Sequence, residues 1–337
     1  MSANLGWETT TDEVLEGVDL TGRLAVITGA SGGLGEETAR ALASRGADVV
    51  LAARSAEKLA AAQDRITSSR VAGSVGTLEV DLASMESVRA ASAELAARHP
   101  AIDLLILNAG VMAPPLGRTE EGHELQFGTN HLGHFLFTMG LRDALVAAAP
   151  SRVVVLSSAG HRVAGINWKD PDYERTEYHN FTAYGRSKTA NALFALELDR
   201  RMADQGVHAY SVHPGVIMTE LSRHLVPADL EWMAARSRRA AAAGSGDPDA
   251  DTADASSEQS ALAAFEFKSV EQGAATSVWA ATAPGLDDHG GAYLEDCAVA
   301  EPNDDEFATS GVAPWACDPG QAERLWELSM RLVGLDG

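Results

Sequence analysis

Residues 23–54 read RLAVITGASGGLGEETARALASRGADVVLAAR, and this stretch decides the fold. RLAVITG is an apolar run with β-branched residues that ends in glycine, the pattern of a strand buried in a parallel sheet. A loop and a helix follow, and ADVVLAAR is a second strand. Gly29, Gly33 and Gly35 stand in a G-x-x-x-G-x-G spacing at the strand-to-helix turn, not the commoner G-x-G-x-x-G. Glycine permits a tight turn there, and without a Cβ the backbone can approach a pyrophosphate. The helix start adds free N–H groups and a positive dipole end. An ordinary tight turn is the alternative; the repeated strand–helix setting favours a dinucleotide.

The alternation continues outward. SAEKLAAAQDRITSS is a helix, VGTLEVD a strand, SMESVRAASAELAARH a helix and IDLLILNAG a fourth strand. Residues 118–149 read as one long helical stretch, SRVVVLSSAG as a fifth strand and GVHAYSVHPG as a sixth. Between the last two, TAYGRSKTANALFALELDRRM is a helix. This order predicts a single α/β domain over 23–337, a Rossmann-type doubly wound parallel sheet with helices on both faces. Residues 1–22 form a polar N-terminal extension lying over its surface. Segment 219–268 would cover the substrate and carries a mobile acidic insertion at 244–260. SVEQGAATSVWAATA is helical, GGAYLED a short last strand and PGQAERLWELSMRLVGL a C-terminal amphipathic helix.

Composition narrows the function. With 26 basic and 48 acidic residues the formal charge is -22, which argues against nucleic acid and anionic membranes as partners. Cys297 and Cys317 make no disulfide framework, so a reducing compartment is the simpler reading. Residues 1–23 lack a basic region followed by an apolar one, and no run reaches the ~20 apolar residues of a membrane span. The expectation is a soluble cytoplasmic protein without a membrane anchor.

Two local features carry chemistry. After the second strand, LAARS puts Ala53 where an acid would bond the ribose 2′-hydroxyl of NAD, and then Arg54, which can pair with a 2′-phosphate. NADP is therefore favoured over NAD, although Glu36 adds some opposing charge. Tyr184 and Lys188, four apart in YGRSK, share one helical face. A phenol with a free pKa of about 10 is a poor acid or base at neutral pH, and a nearby ammonium favours the phenolate. Alone, such a pair is common on surface helices.

Taken in order, TGASGGLG, Asp81, NAG at 108–110, the Asn130 helix, Ser158, YGRSK and HPG resemble short-chain dehydrogenases/reductases over about residues 21–330. SSAGHR, YGRSKTANALFALEL, SVHPGVIMTEL and GAYLEDC resemble the retinol dehydrogenase and WW-domain-oxidoreductase branch. The resemblance implies Tyr184 as general acid/base, with Lys188 bonding the nicotinamide ribose and lowering the tyrosine pKa. Ser158 would position the substrate oxygen, with Ser157 as a rival, and Asn130 would hold a water in a proton relay through Lys188. It implies cofactor contacts from Gly29, Ser31, Gly33, Leu34, Gly35, Asp81, Leu82, Asn108, Ala109, Gly110, Pro214, Gly215 and Thr219, besides Arg54, Tyr184 and Lys188. Taken singly, Asp81 and Asn108 would be turn caps. The histidines have no metal-binding spacing, so no metal is expected; most are structural, and His161 borders the substrate pocket.

The expected reaction is reversible hydride transfer between a nicotinamide and a carbonyl or alcohol. Leu221, Leu225, Leu230, Trp232 and Met233 suit a fairly large apolar substrate, such as a retinoid, steroid or aromatic ketone. The missing N-terminal anchor weakens the retinoid option. Two alternatives stay open: a dinucleotide-binding regulator without turnover, and an epimerase or dehydratase. Helices around 120–149 and 181–205 resemble family dimer-forming helices, which implies a homodimer or homotetramer.

Overall fold

The computed structural model describes residues 5–245, 266–305, 308 and 310–335. Six strands alternate with helices: β1 (Leu24–Thr28), β2 (Asp48–Ala53), β3 (Val75–Glu79), β4 (Leu104–Leu107), β5 (Ser151–Leu156) and β6 (Val207–His213). β7 (Tyr293–Glu295) and β8 (Ala298–Val299) complete one eight-stranded sheet in the order β3-β2-β1-β4-β5-β6-β7-β8. All neighbours pair in parallel except β7 and β8. Successive strand residues feed opposite cores: Val26, Val50, Leu105 and Val153 pack on one face, Ile27, Leu51, Ile106 and Val154 on the other. The strand order turns back between β1 and β4, which opens a crevice at their carboxyl ends.

Three expectations need correction. The last strand is one arm of a hairpin: Asp296 and Cys297, with φ of 49° and 56°, turn the chain into antiparallel β8. Residues 118–149 are not one helix. Gly122, with φ of 91°, makes a turn, and Arg118 bridges to Glu124. Glu124 then caps helical turns from Leu125, which pass through a wider five-residue turn at Gly128–Leu132 into helix Gly133–Gly140. Leu141 breaks the run before Arg142–Ala147. Third, residues 5–22 are built into the domain. Leu15 is fully buried in the core, Arg40 holds Asp12 at 2.9 Å, and Gln272 donates to the Glu8 carbonyl. Of the expected acidic insertion at 244–260, residues 244 and 245 end helix Pro227–Ser245 and residues 246–260 lie outside the described residues.

Helix Asn180–Met202 is buried on most sides, because helix Pro319–Leu332 lies against it. Trp326 from that C-terminal helix sits 5.0 Å from the Phe135 ring and 6.1 Å from Phe194, and Ser329 bonds His131 at 2.7 Å. The two helical regions that resemble dimer-forming surfaces are thus partly covered by the chain's own C-terminus.

Candidate active site

A cleft of about 940 Å³ runs along the carboxyl ends of the strands. Its cofactor end is built from tight backbone packing. Asn108, just after β4, donates through Nδ2 to the carbonyls of Thr28 and Gly29 at 2.9 and 3.3 Å. A Cβ on Gly29 would lie 2.9 Å from that nitrogen, and one on Gly35 only 2.5 Å from it. Gly29 and Gly35 are therefore required by Asn108, not only by a ligand, and Gly35 does not line the cleft. Gly33, with φ of 56°, does line it. Gly32, which the motif spacing does not single out, also lines it and has open space around it.

Helix Gly33–Ser44 starts at that opening with no side-chain cap. Helices Ala56–Ser68, Met85–Arg98, Val270–Thr282 and Pro319–Leu332 are capped by Ser55, Ser84, Ser269 and Asp318. The helix start at Gly33 therefore offers the cleft N–H groups with no side-chain cap, the chemistry an anionic phosphate needs. Ser31, Leu34, Arg54, Asp81, Leu82, Ala109 and Gly110 line the same cleft. Asp81 also closes its own turn by accepting from Ala83 N–H at 2.9 Å. Arg54 is exposed, and Glu36 is held by Arg65 at 2.6 Å, so the opposing carboxylate is neutralised.

At the other end, Ser158, Tyr184 and Lys188 converge on the cleft. Ser158 follows β5 and caps the short turn Ala159–Val163: its Oγ accepts from Gly160 N–H at 3.1 Å, and its hydroxyl opposes the rise in the Tyr184 pKa. Ser157 Oγ instead donates to the Lys188 carbonyl at 2.8 Å, which removes it as a rival. A Cβ on Gly160 would sit 2.8 Å from the Tyr184 ring, and one on Gly185 2.8 Å from the Gly160 carbonyl. Both glycines let the helix seat Tyr184 against the serine turn.

Burial pushes Tyr184 up to about 12, opposed by the neighbouring Ser158 hydroxyl. Burial also pushes Lys188 down to about 7, so near neutral pH its charge is only partly present. Its Nζ donates to the Leu156 carbonyl at 2.9 Å and lies 5.6 Å from the Tyr184 ring centre. Asn130 is fully buried. Its side chain clamps Val111, accepting from its N–H at 2.8 Å and donating to its carbonyl at 2.9 Å, and donates to Ser187. Its own carbonyl bonds His134 at 2.9 Å.

Pro214, Gly215 and Thr219 line the cleft where β6 ends, with Val216 to Met218 between. Leu221, Leu225, Leu230, Trp232 and Met233 all line it too, and Trp232 stacks on Phe181 at 4.7 Å and 9°. The sequence reading missed Phe181, Val163, Met112, Arg162 and Arg236 in this wall. Phe181, three residues before Tyr184, could have been found from helical spacing; the others carry no local signal.

His161 does not border the pocket: it is fully buried behind Ser158. His131, His134 and His213 are also held by protein groups, and burial pushes them down to about 3, 4 and 4. Among the described residues, no group of three or more His, Cys, Asp or Glu is placed to hold a metal ion, and no helix is long and apolar enough to cross a membrane.

Comparison with known proteins gives the family and the fold. The family model described as short chain dehydrogenase matches residues 23–229. The chain is 37% identical to retinol dehydrogenase 12 of Mus musculus over 318 residues, 94% of this chain and 88% of that protein. It is 37% identical to the short-chain dehydrogenase/reductase prx1 of Penicillium roqueforti over 93% of this chain and 85% of that one. A crystal structure from Mycobacterium Paratuberculosis superposes with a TM-score of 0.66 at 31% identity, covering 94% of this chain and 95% of its own.

Proposed function

Because the chain belongs to the short chain dehydrogenase family, we propose that Tyr184, Ser158 and Lys188 carry its hydride-transfer chemistry, with NADP as cofactor and a large apolar carbonyl compound or alcohol as substrate. The coarse activity is that of an NAD(P)-dependent oxidoreductase acting on alcohols or carbonyl compounds. One observation carries the finer reading: Ser158, Tyr184 and Lys188 converge on one end of a cleft whose other end holds a helix start with no side-chain cap.

The residues fit a dinucleotide. The free N–H groups at Gly33–Ser44 suit its phosphates, Asp81 and Leu82 its adenine end, and Arg54 a 2′-phosphate. Bound there, the cofactor supplies the hydride or accepts it. The chain supplies the proton. In reduction the Tyr184 hydroxyl protonates the substrate oxygen, and its raised pKa keeps it protonated across the working pH range. Ser158 Oγ accepts from Gly160 N–H, and its hydroxyl hydrogen turns to the substrate oxygen as charge builds. Lys188, poised near neutrality, replaces the proton Tyr184 gives up. Asn130 keeps Val111, and with it the Asn108–Gly110 segment, in register. Oxidation runs the same steps backward, with Tyr184 as base.

Substrate size is argued from the wall. Leu225, Leu230, Trp232, Met233 and Phe181 offer a broad apolar face. The test is NADPH and NADH consumption against a mixed panel of hydrophobic aldehydes and ketones. We expect turnover with NADPH preferred. Cofactor binding without consumption across the panel would favour a regulator, an epimerase or a dehydratase instead.

A further inference from the structure

The turn that holds Ser158 has a second tenant. His161 lies directly behind it, fully buried, and both ring nitrogens are engaged. Ala313 N–H donates to Nε2 at 3.0 Å, so Nε2 is an acceptor and the ring hydrogen resides on Nδ1. Nδ1 lies 2.7 Å from the Ser158 carbonyl oxygen and therefore donates to it. The Tyr293 hydroxyl stands 3.1 Å from the same nitrogen, its ring tilted on the imidazole at 4.7 Å. The His161 carbonyl in turn accepts from Thr189 Oγ1 at 3.1 Å and Trp315 Nε1 at 3.3 Å. One residue thus ties the serine turn to three others: the Tyr184 helix, strand β7 and the segment around Ala313.

A serine hydroxyl is only as well aimed as its backbone. Ser158 Oγ takes its direction from capping Gly160, and that cap needs the Ser158–Ala159 peptide held in one orientation. The carbonyl of that peptide receives His161 Nδ1–H as well as the His161 backbone N–H at 2.9 Å. We propose that His161 is a positioning residue for the reaction: locked as the Nδ1–H tautomer by Ala313, it fixes the Ser158 peptide and so aims the Ser158 hydroxyl at the substrate oxygen beside Tyr184. The proposal rests on the Ser158 and Tyr184 roles given above. It also gives residues 311–316, far from Ser158 in sequence, a part in the site.

Two amides separate the two ends of the ring. The His161→Asn side chain can place its N–H donor near the Nδ1 position and keep the bond to Ser158. His161→Gln reaches the Nε2 position and serves Ala313, but loses the donor to Ser158. Each variant loses one bond, so melting temperature should fall similarly in both. The expected result is kcat within about 3-fold of wild type for His161→Asn and lower by about 10- to 100-fold for His161→Gln, the range of a misdirected oxyanion donor. Cofactor Kd should be unchanged in both. If kcat falls equally in the two variants in step with melting temperature, His161 is structural only and the proposal is overturned. ¹⁵N NMR of histidine-labelled wild-type protein gives a readout free of turnover. A neutral Nδ1–H tautomer persisting to pH 5 is expected, and an Nε2–H tautomer, or titration near pH 6.5, overturns the proposal. Wild-type protein with no turnover on the whole panel contradicts the oxidoreductase roles, while the tautomer measurement still decides the lock.

Discussion

The two ends of the cleft are made by different means. The cofactor end is built from strand termini that pack on one another: Asn108 bonds the end of β1, and Gly29 and Gly35 have no room for a Cβ beside it. The substrate end is built from segments outside the central strands. There Trp232 and Met233 belong to helix Pro227–Ser245, and Phe181 to the first turn of the Tyr184 helix. A close-packed wall tolerates almost no change in volume, whereas a wall of apolar side chains on a separate helix can repack. Ser158, Tyr184 and Lys188 stand where the two meet. Substitutions should therefore act all-or-none at one end and in graded fashion at the other.

The largest effect is expected at the junction. Lys188→Met should lower kcat by about 1000-fold, within the range for proton transfer by a positioned side chain. It should also stabilise the fold near pH 7. The Lys188 pKa is lowered from 10.5 to about 7 by burial, so the unfolded chain binds the extra proton between those values. Wild-type stability should then rise with pH across that window relative to the variant, by up to a few kcal/mol at roughly 1.4 kcal/mol per pKa unit. Denaturant melts of both proteins from pH 6 to pH 10 measure the difference; a flat difference would deny the buried lysine.

Within the cofactor end, Gly35→Ala should weaken dinucleotide binding by about 100-fold, because the new Cβ meets Asn108 and the Gly29 carbonyl and overpacking costs about 1–3 kcal/mol. Titration by fluorescence checks this, and unchanged binding would mean the loop is not close-packed. Arg54→Ala should raise KM for NADPH by about 30-fold and leave NADH nearly unchanged, the size of one charge-assisted hydrogen bond of about 1.5–3 kcal/mol. Equal effects on both cofactors would remove the argument for NADP. At the substrate end, Trp232→Ala should raise KM for bulky apolar carbonyls by about 10-fold, with cofactor Kd unaltered. A loss as abrupt as that of Gly35→Ala would erase the contrast between the ends.

What was legible in the sequence follows the same division. Strands β1 to β6 could be read because parallel strands buried on both faces show continuous apolar runs, and each site residue at a strand end inherits its position from them. Segment 118–149 was misread because Gly122 and Leu141 interrupt a helical periodicity that otherwise looks unbroken. Leu15 gave little sign of burial because Val14, Leu15, Val18 and Leu20 are too short an apolar set in a polar stretch to fix a period. The choice between Ser157 and Ser158 depends on which hydroxyl faces Tyr184, a fact of backbone direction and not of spacing. Arg162 and His161 gain their partners from residues 303–313, contacts no local pattern can announce.

The central claim is that Tyr184 moves the proton while other groups bind the cofactor. The direct measurement is Tyr184→Phe, assayed for single-turnover reduction of an apolar carbonyl with bound NADPH and, on the same sample, for NADPH affinity. The account predicts a rate lower by at least about 1000-fold with affinity within about 3-fold of wild type, since only the proton donor is lost. A variant that still reduces the carbonyl at near wild-type rate would contradict it.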